Sequence, residues 1–220
     1  MNYTKKEIFS QDDALEKTFN YLQEKKEEIK YTFEKINFDS ITFIGSGSSY
    51  CLCQSAEMST KVHTSFSANS FAAGDLMLNY SHYKNIIENT LIIAPSRSGS
   101  TSEVIKSVKK AKDEFDTPIV SISANQDSDL SQLADLDLSL PWAFDESVCQ
   151  TRTVTNLYLA QLYLIAIISE KDSMIEEIGK AVSEETSYID NNEEILKEIR
   201  ENTSWEKVVV LGDSELQGIA

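Results

Sequence analysis

Chemistry is densest at Ser96-Arg97-Ser98-Gly99-Ser100-Thr101, which follows the apolar run Leu91 to Ala94 and precedes Ser102-Glu103-Val104-Ile105. Four hydroxyls stand there beside Gly99, the residue type that takes a positive φ most easily. The first amides of a helix have no intrahelical partner and carry partial positive charge. Hydroxyls next to them add donors without adding charge, which suits a phosphate monoester. A polar helix-capping turn with surplus serines is the other reading of the same residues. Ser100 and Glu103 have capping-box spacing, which predicts Ser100 as N-cap. Pro95, lacking an N–H, is expected to end the strand.

Gly45-Ser46-Gly47-Ser48-Ser49-Tyr50 is a second turn of this kind, after the apolar Ile41-Thr42-Phe43-Ile44 and before a helix running to about Lys61. It starts like a dinucleotide fingerprint, but Tyr50 stands where the third glycine belongs, so nucleotide binding ranks low. No phosphate-loop motif ending in Gly-Lys-Ser/Thr occurs. A third polar stretch, Asp145-Glu146-Ser147-Val148-Cys149-Gln150-Thr151-Arg152-Thr153, precedes a long apolar helix over 154–169 that should be buried or lie at an interface.

The elements that must position these stretches alternate. Residues 3–36 carry Ile8, Leu15, Phe19, Leu22, Ile29, Phe33 and Ile36 at helical spacing. Strands are predicted at 41–44, 62–67, 91–94, 118–122 and 135–140, with helices between them. That alternation indicates an α/β three-layer sandwich around a five-stranded parallel sheet. In the flavodoxin-like order 2-1-3-4-5, the switch point lies between the first and third strands. The turns at 45–50 and 96–101 would then face one another across a single crevice.

The chain has 220 residues and a formal net charge of −16, which disfavours nucleic acid and anionic membrane as partners. A phosphate would have to be attracted locally, against that field. No apolar run is long enough to cross a bilayer, and the polar N-terminus predicts a cytoplasmic protein. Cys51, Cys53 and Cys149 form no disulfide framework or zinc pattern, and His63 and His82 have no second ligand at metal spacing. Neither a metal nor a cofactor is expected. Val208-Val209-Val210-Leu211-Gly212-Asp213-Ser214 repeats the pattern of Ile41 to Tyr50. The expected organisation is a helical segment at 1–36, a first domain at 37–170, a helical linker at 171–204, and the opening of a second, truncated domain at 205–220.

The stretches 43–50, 96–103 and 146–152, in that order and spacing, resemble the sugar isomerase (SIS) domain family. The segment 210–220 looks like the opening of the second domain in its tandem members. The similarity is nearest to the tagatose-6-phosphate ketose/aldose isomerase and galactosamine-6-phosphate deaminase group. The resemblance implies the same fold, a hexose or hexosamine 6-phosphate as ligand, and aldose/ketose isomerisation or deamination through an enediol or enolamine. A noncatalytic sugar-phosphate-sensing module is the alternative. By motif position, Ser96, Arg97, Ser98, Gly99, Ser100 and Thr101 would bind phosphate. Gly47, Ser48, Ser49, Cys149, Gln150 and Thr151 would bind the sugar. Arg97 departs from the Gln common in the family, and Gln150 from a common Ser. The catalytic base is unassigned, with Asp145 and Glu146 as possible contributors; in tandem members it lies in the second domain. The 220 residues are therefore expected to bind ligand and turn it over poorly. The nearly all-apolar helix 154–169 and the long N-terminal helices favour a homodimer.

Overall fold

In a computed structural model, residues 3–202, 204 and 206–219 are described, without the side chains of 186, 187 and 190. Five strands, β1 (Ser40–Gly45), β2 (Ser67–Ala72), β3 (Thr90–Ser96), β4 (Ile119–Ser123) and β5 (Leu136–Ser139), form one sheet in the order β2-β1-β3-β4-β5. All four pairings are parallel. The helices are α1 (Tyr3–Ile8), α2 (Gln11–Glu24), α3 (Lys26–Lys35), α4 (Ser48–His63), α5 (Ala73–Ile87), α6 (Ser102–Phe115), α7 (Arg152–Ile168) and α8 (Asp172–Asn202).

The central strands are apolar on both faces because both faces are covered. Ile41, Phe43, Leu91 and Ile93 enter a core with α4 and α7, outside which lie α2, α3 and α8. Ile44, Ile92 and Ala94 enter a second core with α5 and α6. Leu157, Tyr163, Leu164 and Ile165 of α7 are fully buried. Each such side chain stabilises the fold by about 1.5–3 kcal/mol, which accounts for a helix apolar nearly all round.

Three local expectations are corrected. The second strand is not at 62–67: α4 continues through His63, the Thr64 amide bonds the Thr60 carbonyl at 2.9 Å, and β2 starts at Ser67. β2 is an edge strand and needs little apolar surface, so Ser67-Ala68-Asn69-Ser70 gave no strand pattern. Pro95 does not end its strand; Pro95 and Ser96 still register with Ile122 and Ser123 of β4. The β1 side of the ladder stops at Ile93, so one edge of β3 is already free there. Ser100 is not the N-cap of α6. Thr101 holds that position, no side-chain capping bond forms, and Ser100 lies one residue outside. His63 accordingly ends α4, with Nε2 3.1 Å from Glu215 Oε1, and His82 is exposed on α5.

Residues 213–219 lie against α4; a Cβ on Gly218 would sit 2.7 Å from Ser55 Oγ. Val208 to Leu211 are exposed and join no ladder among the described residues.

Candidate functional site

The turns after β1 and β3 meet. Ser46, Ser49, Pro95, Ser96, Arg97, Ser98, Thr101, Val104 and Gln150 line one pocket of about 110 Å³ at the carboxyl ends of the strands. β1 and β3 are neighbours, and the chain leaves them in opposite directions, β1 towards β2 and β3 towards β4. This is the topological switch point at which open parallel sheets bind ligands. The volume exceeds the ~30 Å³ share of one water and falls short of the ~300–1,000 Å³ that encloses a whole small molecule. It suits a phosphate-sized group with the remainder of the ligand projecting out. A larger hollow of about 520 Å³ lies at the opposite end of the sheet, between α3, Phe38 ahead of β1 and the α7–α8 junction. Its lining carries Glu34, Glu170 and Asp172, the last in the first turn of α8, and these carboxylates oppose an anion, so the smaller pocket is the better candidate.

Local geometry explains why the turns take this shape. At Gly45, a Cβ would lie 2.7 Å from the Ser49 carbonyl and the Tyr50 amide, so only glycine lets β1 run against the first turn of α4. Gly99 has φ 61° and donates its amide to Ser96 Oγ at 3.1 Å. The turn 96–99 is pinned from behind by the segment after β4. Ala124 bonds the Arg97 carbonyl at 3.2 Å, Leu130 the Gly99 carbonyl at 2.9 Å, and Asn125 Nδ2 the Ser98 carbonyl at 3.1 Å.

Three helix N-termini reach this rim, and they differ in what fills them. The first ladder bond of α6 runs from the Ile105 amide to the Thr101 carbonyl at 3.0 Å, so the amides of Ser102, Glu103 and Val104 precede it. In α4 the amides of Ser48 and Ser49 precede the first bond, from the Tyr50 amide to the Gly47 carbonyl at 3.0 Å. The N-terminus of α7 is already taken: Asp145 Oδ2 accepts from the amides of Thr151 at 2.7 Å and Thr153 at 2.9 Å. An incoming anion therefore has α4 and α6 to bind and is repelled from α7.

Of the residues singled out from the sequence, Ser49, Ser96, Arg97, Ser98, Thr101 and Gln150 line the pocket; Gly47, Ser48, Gly99, Ser100, Cys149 and Thr151 flank it. Ser46, Pro95 and Val104 also line it. Ser46 was legible as the middle of Gly-Ser-Gly. Asp145 and Glu146 are not in the lining. Asp145 is buried as the cap of α7, and Glu146 is exposed. The Arg97 guanidinium reaches the third loop, where Nη1 donates to the Ser147 carbonyl at 2.7 Å. Gln150 Oε1 and Thr151 Oγ1 are buried without a hydrogen-bond partner among the described residues, as expected of groups that await one.

Glu7 of α1 carried no signal in the sequence. It is 3% exposed, and its Oε1 accepts from the amides of Glu146 at 2.8 Å and Ser147 at 3.1 Å. Burial alone would raise this carboxyl; the Ser147 side chain, the two amides and the charge of Arg152 outweigh it, and the result lies below the usual glutamate value. A carboxyl lowered on folding contributes stability above its unfolded pKa and loses it as pH falls through the folded value. The stability gap between wild type and Glu7→Gln is therefore expected to be constant from neutral pH to about pH 5. It should close at lower pH, read as melting temperature against pH.

A family model described as the SIS domain matches residues 28–168. Tagatose-6-phosphate ketose/aldose isomerase from Escherichia coli superposes with a TM-score of 0.85 at 19% identity, covering 99% of this chain and 61% of that one. The C-terminal domain of glucosamine-fructose-6-phosphate aminotransferase from Francisella tularensis gives 0.74 at 19% identity, covering 100% and 64%. At these identities the likeness establishes the fold. An uncharacterised HTH-type transcriptional regulator from Clostridium perfringens is 33% identical over 81 residues, 37% of this chain and 28% of the regulator. This chain thus spans less than two thirds of each of these relatives. On the match over 28–168, together with the parallel sheet and its paired turns, this chain belongs to the SIS domain family.

Proposed function

We propose that this chain binds a hexose or hexosamine 6-phosphate, with the phosphate in the pocket between the turns after β1 and β3. The observation that carries this is the convergence of Ser46, Ser49, Ser96, Ser98 and Thr101 at the open N-termini of α4 and α6. Hydroxyls and helix amides hold a dianion without lysines, which suits a chain of net charge −16. The backbone of Arg97 and Gly99 would complete the phosphate shell. Ser49, the backbone at Cys149 and the side chain of Gln150 would meet the sugar.

In the whole protein the reaction would be aldose/ketose isomerisation or amino-sugar deamination, with a proton moved between C1 and C2 by a carboxylate base. No carboxylate or histidine lines the pocket among the described residues, so the base would come from outside this site. The segment 205–220 would open a second domain of the same kind, after the linker 171–204. Residues 1–220 are therefore expected to bind and not to turn over. Solvent-deuterium exchange at C2 of the sugar, followed by NMR, checks this. A noncatalytic sensor is the alternative, favoured by the absence of a base in the pocket lining and by the regulator relative. A homodimer in the cytoplasm is part of the same proposal and is checked by light scattering and cell fractionation.

A thermal-shift panel of hexose 6-phosphates, hexosamine 6-phosphates, NAD and ATP tests the ligand class, since binding raises the melting temperature by mass action. Sugar phosphates should shift the transition and the nucleotides should not. Ser96→Ala and Thr101→Ala should each weaken binding about 10- to 100-fold, the range for a hydrogen bond to a charged group. Binding unchanged in both variants would remove the phosphate from this pocket.

A further inference from the structure

A buried carboxylate is costly unless it is bonded, and Glu7 spends its bonds on one loop. It takes the Glu146 and Ser147 amides. Thr4 Oγ1, one turn earlier on α1, lies 3.0 Å from Ser147 Oγ. From the other side, Arg97 of the turn after β3 donates to the Ser147 carbonyl at 2.7 Å. Residues 145–147 are thus held between a short N-terminal helix and the phosphate turn. Two residues on, the same loop delivers Gln150 to the pocket.

We infer that Glu7 is a positioning residue for sugar recognition: by fixing the Glu146–Ser147 backbone it sets where Gln150 meets the ligand. This rests on the sugar-phosphate assignment above. The phosphate turn has its own supports in Ala124, Asn125 and Leu130. Releasing the loop from α1 should therefore spare the grip on phosphate and cost the grip on sugar.

The test compares dissociation constants for inorganic phosphate and for a hexose 6-phosphate in the full 220-residue chain. Glu7→Ala should weaken the sugar phosphate about tenfold and leave inorganic phosphate within about twofold. Glu7→Gln keeps an acceptor oxygen and should recover most of the loss. Parallel weakening of both ligands, or no change in folded Glu7→Ala, overturns the inference. If Glu7→Ala does not fold, Thr4→Val carries the same comparison with about a threefold expected effect, and an unchanged ratio there overturns it equally. Hydrogen exchange at the Glu146 and Ser147 amides separates the two levels. Faster exchange in Glu7→Ala, with no sugar phosphate bound by wild type, sinks the ligand assignment and, with it, the recognition role. Unchanged exchange sinks the clamp itself.

Discussion

Gly99→Ala should abolish phosphate binding and lower the melting temperature by about 5–15 °C. Two costs add. At φ 61°, an alanine sits in the left-handed region, worth roughly 1–2 kcal/mol. Its Cβ would also fall within overlap distance of the Ser128 Oγ and Cβ, and Ser128 is itself 4% exposed. Overpacking of this kind costs about 1–3 kcal/mol, and each kcal/mol moves a domain of this size by about 2–4 °C. The turn can relieve the overlap only by moving the Gly99 amide off Ser96 Oγ, which disorders the hydroxyls that line the pocket. Gly47→Ala is the control. Its φ is 59°, yet nothing lies within 4 Å of the added Cβ, so only the conformational cost applies. Adding Ser128→Gly to Gly99→Ala should recover part of the stability, though it forfeits the Ser131 amide bond to Ser128 Oγ at 3.2 Å. Isothermal titration with inorganic phosphate and thermal melts of the three variants beside wild type decide the matter. Equal losses in Gly47→Ala and Gly99→Ala would mean that the Ser128 contact is irrelevant.

Asp145→Ala should be the most destabilising single change in the third loop, by about 3–5 kcal/mol. The side chain is fully buried. Its Oδ2 satisfies the Thr151 and Thr153 amides, and Arg152 Nε approaches Oδ1 at 3.5 Å as an ion pair without hydrogen-bond geometry. Removing one partner of a buried pair leaves the other uncompensated, which is the source of the magnitude. Two donors at the N-terminus of α7 would be orphaned as well. Asp145→Asn keeps an acceptor oxygen and should cost about half as much. Urea melts give the stabilities. A loss below about 1 kcal/mol in Asp145→Ala would show that water replaces the cap and that the loop tolerates its absence. Binding should track stability here, because Gln150 lies between Asp145 and the helix that Asp145 caps.

The layers and strand order were readable because they follow from local chemistry repeated along the chain. Ile41 to Ile44 and Leu91 to Ala94 are apolar runs too short for helices, and each ends in a Gly/Ser turn that starts one. Parallel strands joined by helices restrict the topology to few choices, and the expected order is the one found. The pocket was readable for the same reason: Ser49, Ser96, Ser98 and Thr101 sit at strand ends that this order brings together. β2 was misplaced because an edge strand makes weak demands on sequence, and Ser100 was misassigned as cap because spacing alone cannot choose between adjacent hydroxyls.

Tertiary structure alone decided how the third loop is held. Asp145 next to a helix start reads equally as a base or as a cap. Only the tertiary structure shows it buried with Oδ2 accepting from the Thr151 and Thr153 amides, which is a capping position. Glu7 and Ser147 are 140 residues apart, and Arg97 and Ser147 are 50 apart. Periodicity and turn chemistry report on neighbours within a few residues of each other, whereas these contacts exist only once α1 has packed against the loop ahead of α7 and the sheet has brought the turn after β3 up to that loop. The sequence determines which groups can hold a phosphate; the packed chain decides which other groups hold them in place.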